Sequence, residues 1–371
     1  MGFAQDIEVI EAVMRGGDPA FVRVPNDVLD HALEALRMAA SGGRDRFLLA
    51  AIEAVALGRN GHSRVIPNAA VSVIPKRIVI RDGHPVLVEQ GRATRILSVD
   101  GMPCARIMAD WAPMLAGNAA RQRVLSGLML GWPAALRRAG VGGGDDIRYR
   151  LVTGAERVFS RSAIVPALPL YPTGESGMLV PGQDDHGLPN GALLELREGL
   201  WWWRIADLMT LDASEVVKGV AEMSGSESTN VVIDLRGNPG GSFLKALSLI
   251  DWLRREWGGT RCAVLVDEYT FSAAIVTATL LAHHLGDRAR LFGAPMGDDL
   301  AFFAEGGTTP LTDSGAHLRH SSAWHNWQTG RADHTTPPEI AAHLIGAGEV
   351  RVTPVVRAAQ VGAAHAFARG D

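Results

Sequence analysis

Apolar residues follow two rhythms along this chain, and the change of rhythm marks a change of architecture. From 193 onward, short continuous apolar runs at 200–205, 231–235, 262–266 and 289–292 alternate with three- and four-residue spacing over 213–223, 243–257 and 273–285. Continuous apolar strands separated by helices predict an α/β core with a mostly parallel sheet covered by helices. Residues 1–58 read as helical, most clearly over 28–38 and 46–57, with Gly58 at the expected C-cap. Between these regions lie strand-like segments at 64–66, 71–74, 77–80 and 85–88, and Asp82-Gly83 marks a hairpin between the last two. A strand and turn over 95–105 lead into helical spacing over 106–138, a glycine-rich break at 140–146 and a strand at 147–152. The Pro-, Gly- and Asp-rich stretch 170–192 predicts a long loop. The expected organisation is a helical region over 1–60, a β-rich region with a helical insert over 61–155, and an α/β core over 156–371.

Two junctions in the core pattern carry chemistry. The run Val231-Val232-Ile233-Asp234-Leu235-Arg236-Gly237-Asn238-Pro239-Gly240-Gly241 takes a buried strand into a turn where adjacent glycines leave backbone N–H groups bare. One βα unit later, Ala263-Val264-Leu265-Val266 leads through 267–271 into Ser272-Ala273-Ala274, a serine at the start of a helix. Bare amides beside a serine are the parts of an acyl-transfer site, a nucleophile and the donors for its oxyanion. The candidates are Ser272 as nucleophile, with the Gly240, Gly241 and Ala273 amides as donors. A plainer reading makes Ser272 a helix N-cap and the glycines a helix-initiating turn capped by Asn238 or Ser242. Asp234 and Arg236 end a buried strand and are expected to need partners.

The D-L-R-x-N-P-G-G run at 234–241 and the T-x-S-A-A run at 270–274 resemble those of the C-terminal-processing (tail-specific) serine peptidases, whose relatives include the core of the tricorn protease. The likeness covers 228–295 closely, and 55–110 and 300–345 more loosely. It implies a crotonase/Clp-like βαβ-spiral core and ranks Gly240 above Gly241 as an oxyanion donor. Residues 95–105 resemble the G-x-x-I-x-x-I-N-G strand-turn of a PDZ-like module, which binds peptides by strand addition. The region 61–155 is therefore expected to be a PDZ-derived or merely β-rich insert.

One branch of this family pairs its serine with a lysine in a G-E-x-T-x-G-K segment. The matching residues 291–299 contain no lysine. The tricorn-like branch takes its base from a histidine in a G-H-T/S element, and Gly61-His62-Ser63 occupies that place. The resemblance thus makes His62 the general base, against the plain reading of a surface-turn histidine. A histidine base needs an acceptor on its other nitrogen. The resemblance offers Asp333, in a segment where Glu339 stands for the usual Asp, and Ser63 is a second candidate. Residues 321–327 resemble the family's strand near the cleft, so Trp324, His325 and Trp327 are expected to line a substrate pocket. Two departures stand out. Ala273-Ala274-Ile275 lacks the glutamate usual just beyond the nucleophile, and Gly293-Ala294-Pro295-Met296 loses the polar residues of the family segment. Both keep open a catalytically inactive homologue that binds peptides or small ligands.

Composition narrows the field. The 371 residues are 47% hydrophobic and 20% charged, ordinary for a globular protein, and the net charge of −4 gives no footprint for nucleic acid. Cys104 and Cys262 are isolated, which argues against both a disulfide framework and a C-x-x-C metal site. His283 and His284 are adjacent and do not share a helix face, and the glycines at 142–144 lack the strand–helix setting of a phosphate loop. No metal or cofactor is expected. No apolar run reaches the roughly 18–20 residues that span a bilayer, so no membrane partner is expected. Residues 1–8 lack the regions of a signal peptide, which predicts a cytoplasmic location with a removed export signal left open. Trp201-Trp202-Trp203 alternate on a predicted strand and are expected in the core. The leading expectation is a cofactor-free serine peptidase acting on peptides or proteins. An inactive binding homologue, or an esterase or amidase for a small molecule, are the competing readings; oligomeric state is not legible.

Overall fold

The apolar runs of the core form one six-stranded sheet, in the order Leu193–Leu196, Leu200–Arg204, Asn230–Asp234, Arg261–Val266, Ala289–Gly293, Val352–Pro354. The first pair is antiparallel and the other four pairings are parallel. The computed structural model describes residues 2–67, 70–166, 188–196, 200–225 and 230–370, so most of the loop expected over 170–192 lies outside the described residues. The chain divides into two units. One comprises Met1–Leu170, Phe302–His325 and Ala332–Ile340; the other comprises Tyr171–Ala301, Asn326–Arg331 and Ala341–Asp371.

The second unit holds the six-stranded sheet. Alternate residues Trp202, Val232, Ala263, Leu265 and Phe292 pack with Ala364, Phe367 and Ala368 of the helix Arg357–Arg369. Trp203 points to the opposite face, where Gly219 of the helix Ala213–Ser224 lets the indole come close: a Cβ there would stand 2.8 Å from the ring. All three tryptophans are buried. The buried Asp234 carboxylate accepts from Arg236 Nε and Nη2, both at 2.8 Å, and lies 3.8 Å from Arg204 Nη1. Burial alone would raise its pKa, but the two guanidinium charges and the hydrogen bonds hold it below the usual carboxylate range.

The first unit begins with the helices Ala4–Ala12, Asn26–Ala40 and Arg44–Ala56, whose buried Leu29, Leu33 and Leu36 keep the predicted spacing. The strand Arg64–Ile66 pairs antiparallel with Ala316–His320, which pairs with Gly307–Leu311. A second, antiparallel sheet runs Arg77–Arg81, His84–Glu89, Arg92–Val99, Asp146–Leu151, Glu156–Ser160. Asp82 and Gly83 both take positive φ, 50° and 74°, as a two-residue primed hairpin requires. The helices Cys104–Trp111, Ala119–Met129 and Pro133–Arg138 lie between the third and fourth of these strands in sequence. No helix among the described residues is long and apolar enough to cross a membrane.

Candidate active site

In the second unit, the turns that end two neighbouring strands are tied to each other. Asp267 follows the strand Arg261–Val266, and its Oδ1 accepts the N–H groups of Tyr269 (3.0 Å) and Thr270 (3.1 Å), an Asx-type turn. The same oxygen accepts the N–H of Gly237 in the glycine turn (2.9 Å), and Thr270 Oγ1 donates to the Leu235 carbonyl (3.0 Å). Arg357 Nη1 donates to Asp267 Oδ2 at 2.9 Å. The chain then enters the buried helix Ala273–Leu285 through Ser272, at φ 55°, ψ −125°. A non-glycine residue in such a region stores roughly 1–3 kcal/mol of strain and persists where its surroundings over-determine it. Ser272 stands at the N-cap position, yet its side chain makes no capping hydrogen bond, so capping does not explain the serine. It is half-buried between the buried Phe271 and Ala273.

Gly240 lies against it. At φ 107°, a Cβ on this residue would stand 2.7 Å from Ser272 Cβ and 2.9 Å from the Phe271 carbonyl oxygen. Asn238 fixes this approach. It is fully buried, donates from Nδ2 to the Ile205 carbonyl (2.8 Å), and accepts the Phe271 N–H at its own carbonyl (3.0 Å). Its Oδ1 accepts the Gly240 N–H at 2.9 Å. The amide ranked first from the sequence is thus already engaged. Those of Gly241 and Ala273 make no hydrogen bond among the described residues. Gly241 is necessarily glycine as well, since a Cβ would fall 2.2 Å from the Leu208 backbone.

In the first unit, His62 is buried, 2% exposed, which a surface-turn histidine would not be. Its ring stacks on Phe302 (centroids 5.1 Å apart), and Phe302 stacks on His325 (5.4 Å). Burial, and then the neighbouring His62, push His325 down to about 4, so it is neutral at pH 7. Asp333 is offered by the resemblance as the orienting carboxylate for the histidine. It is exposed, and its Oδ1 is occupied by the Thr335 N–H (2.7 Å) and the Thr335 hydroxyl (2.6 Å). Desolvation acts to raise the carboxyl, but the hydrogen bonds from Thr335, the charge of His334 and the bond from Thr336 together hold it below its ordinary range. The turn is stitched to Trp324, whose N–H donates to Thr335 Oγ1 (2.9 Å) and whose carbonyl accepts from Thr336 Oγ1 (2.8 Å). Of the three residues expected to line a pocket, only Trp324 keeps partial exposure. His325 is 4% and Trp327 0% exposed, the latter packed edge-on against Phe243 at 5.2 Å in the second unit. Ser63 turns its hydroxyl toward Asp18 rather than acting alone beside the histidine.

No protein-family model and no curated protein matches the sequence. Among solved structures, mature CPAF complexed with lactacystin aligns over 94% of this chain and 95% of its own, with a TM-score of 0.54 and 12% identity. Mature CPAF alone gives 0.52 and 13%, over 94% of each chain. This chain has the CPAF fold. A looser likeness, TM-score 0.39 and 14% identity over 87% of this chain and 88% of the other, is to the photosystem II D1 C-terminal processing protease. The sequence identities carry the likeness to CPAF no further than the fold.

Three residues that shape these sites were not singled out for it from the sequence. Asp267 lies inside a motif run, the sequence offers Asn238 only as a turn cap, and Asp18 lies in a segment without motifs. An aspartate ending a buried strand three residues before a threonine is a turn signal that could have marked Asp267.

Proposed function

We propose that this chain is a serine peptidase of the C-terminal-processing family, acting through an acyl-enzyme on Ser272. The observation that carries the reading is Ser272 itself. It is held at positive φ at a strand-to-helix junction, caps nothing, and lies beside a glycine turn with no room for a side chain. In the proposed reaction His62 takes the Ser272 hydroxyl proton while Oγ attacks the peptide carbonyl. The Gly241 and Ala273 amides stabilise the oxyanion, and His62 then protonates the leaving amine. Water, activated by the same base, clears the acyl group. The role of His62 requires its imidazole to reach Ser272 Oγ at roughly 2.6–3.2 Å in the reacting complex. Its burial and its stacking against Phe302 support a positioned ring over a surface one. On this reading the six-stranded core is of the crotonase/Clp type, and the antiparallel sheet of the first unit is a PDZ-derived insert.

The test is mass-spectrometric mapping of a diverse peptide library incubated with the wild-type chain and with Ser272→Ala. Cleavage by the wild type alone is expected. No cleavage by either protein would remove the peptidase reading in favour of a binding protein, and equal cleavage by both would remove Ser272 as nucleophile.

A further inference from the structure

The first unit contains a buried carboxylate that the proposed chemistry does not use. Asp18 is 1% exposed and caps the short turn Pro19–Phe21, its Oδ1 accepting the Ala20 N–H at 2.9 Å. Its Oδ2 accepts the Ser63 hydroxyl (2.5 Å) and the Ser321 N–H (2.9 Å). Asn60 completes the group, donating from Nδ2 to Ser63 Oγ and to Ser321 Oγ, both at 2.9 Å. Asn60, Ser63 and Ser321 are 5%, 1% and 0% exposed. Among the described residues no arginine or lysine pairs with Asp18, so its charge is met by N–H and O–H groups alone. Hydrogen bonds to an ionised acceptor are shorter and about twice as strong as neutral ones, and a buried charge without them would be costly.

Asn60 and Ser63 are the ends of one turn. The Ser63 N–H donates to the Asn60 carbonyl at 3.0 Å, closing a four-residue turn with Gly61 and His62 at its centre. One end bonds the carboxylate directly. The other bonds Ser63 and Ser321, the residue just past the strand Ala316–His320 that pairs with Arg64–Ile66. The backbone on both sides of His62 is therefore pinned to Asp18 and Ser321, while its ring rests on Phe302.

We infer that Asp18 is the positioning residue of His62, fixing through Ser63 and Ser321 the turn from which the imidazole projects. The inference rests on the proposed role of His62 as general base. Asp18 does its work at the backbone, a task separate from accepting a ring N–H.

The test uses the full-length chain and a fluorophosphonate probe, which captures a base-activated serine. The rate of capture at saturation (kinact) and the probe affinity (KI) are measured per folded molecule, with adduct mapped to Ser272. Asp18→Asn is expected to lower kinact about tenfold to a hundredfold, the scale of a misplaced reacting group, with KI unchanged. Asp6→Asn is the control. Asp6 is another fully buried carboxylate, holding the Asp313 and Ser314 N–H groups at 3.0 and 2.9 Å, away from the His62 turn. It is expected to lower stability and leave kinact intact. Ser63→Ala removes only the hydroxyl link and decides the matter should Asp18→Asn not fold; the same fall in kinact is expected. Unchanged kinact in Asp18→Asn or Ser63→Ala, or an equal fall in Asp6→Asn, overturns the positioning role alone. A wild-type chain with no adduct on Ser272 overturns the peptidase reading and the inference with it.

Discussion

His325 sits at the end of a three-ring stack, and its protonation state has a measurable consequence. In the unfolded chain it titrates at the ordinary 6.5, and in the folded unit at about 4, because burial and then the nearby His62 disfavour its charge. Between those values the unfolded chain binds a proton that the folded chain refuses, so stability is full above about pH 6.5 and falls as pH drops toward 4. The loss from this one group approaches roughly 3 kcal/mol at the acid end. Urea unfolding at about pH 7 and pH 4.5 is expected to show a smaller drop in His325→Gln than in the wild type; equal drops would mean that His325 is not held neutral. Ser272 shows the other kind of residue-scale tension. Its backbone would suit glycine, and the side chain is kept in a conformation that costs stability.

Between neighbouring elements, the decisive link is Arg357 to Asp267. It joins the last helix to the turn that delivers Ser272, with both side chains nearly inaccessible, 6% and 1% exposed. Arg357→Met would leave the Asp267 charge buried without this partner, and a loss of about 3–5 kcal/mol is expected, read as a shift of the urea midpoint. A change under about 1 kcal/mol would place the pair with weak surface bridges. The sequence disclosed the elements around this link unevenly. Continuous apolar strands and the helix Ala273–Leu285 announce themselves, because burial of every residue from Ala273 to Leu281 leaves only Thr277 and Thr279 as polar positions there. The strands over 301–326 do not. Gly307–Leu311 reads Gly-Thr-Thr-Pro-Leu, with partial burial and a proline on an edge, and Val352–Pro354 has three residues, none fully buried. The glycine turn was legible because only glycine tolerates φ 107° and 131° at Gly240 and Gly241 with backbone packed against them. The supports of His62 were not, since Asp18 reaches partners 45 and 303 residues away, and no spacing rule spans such distances.

Across the whole molecule, the path of the chain constrains how it can be divided. The first unit takes residues from three separate stretches, the last ending at Ile340. A fragment covering 1–170 keeps Arg64–Ile66 but lacks Ala316–His320, its partner, and the remainder carries that strand without its neighbour. Neither half expressed alone is expected to give the dispersed amide NMR spectrum of a folded unit. A folded 1–170 fragment would show that the Arg64–Ile66 pairing is dispensable. The same path sets an order in time. Ser321, which helps to hold the His62 turn, emerges from the ribosome 259 residues after His62, an interval of roughly 10–50 s at ordinary rates of synthesis. Throughout that interval Asp18, Asn60 and Ser63 lack their fourth member, and the Ser272 helix is made before it arrives. A nascent chain would therefore present its serine 49 residues, roughly 2–10 s, before its histidine turn is complete, which delays any peptidase activity until Ser321 has been made.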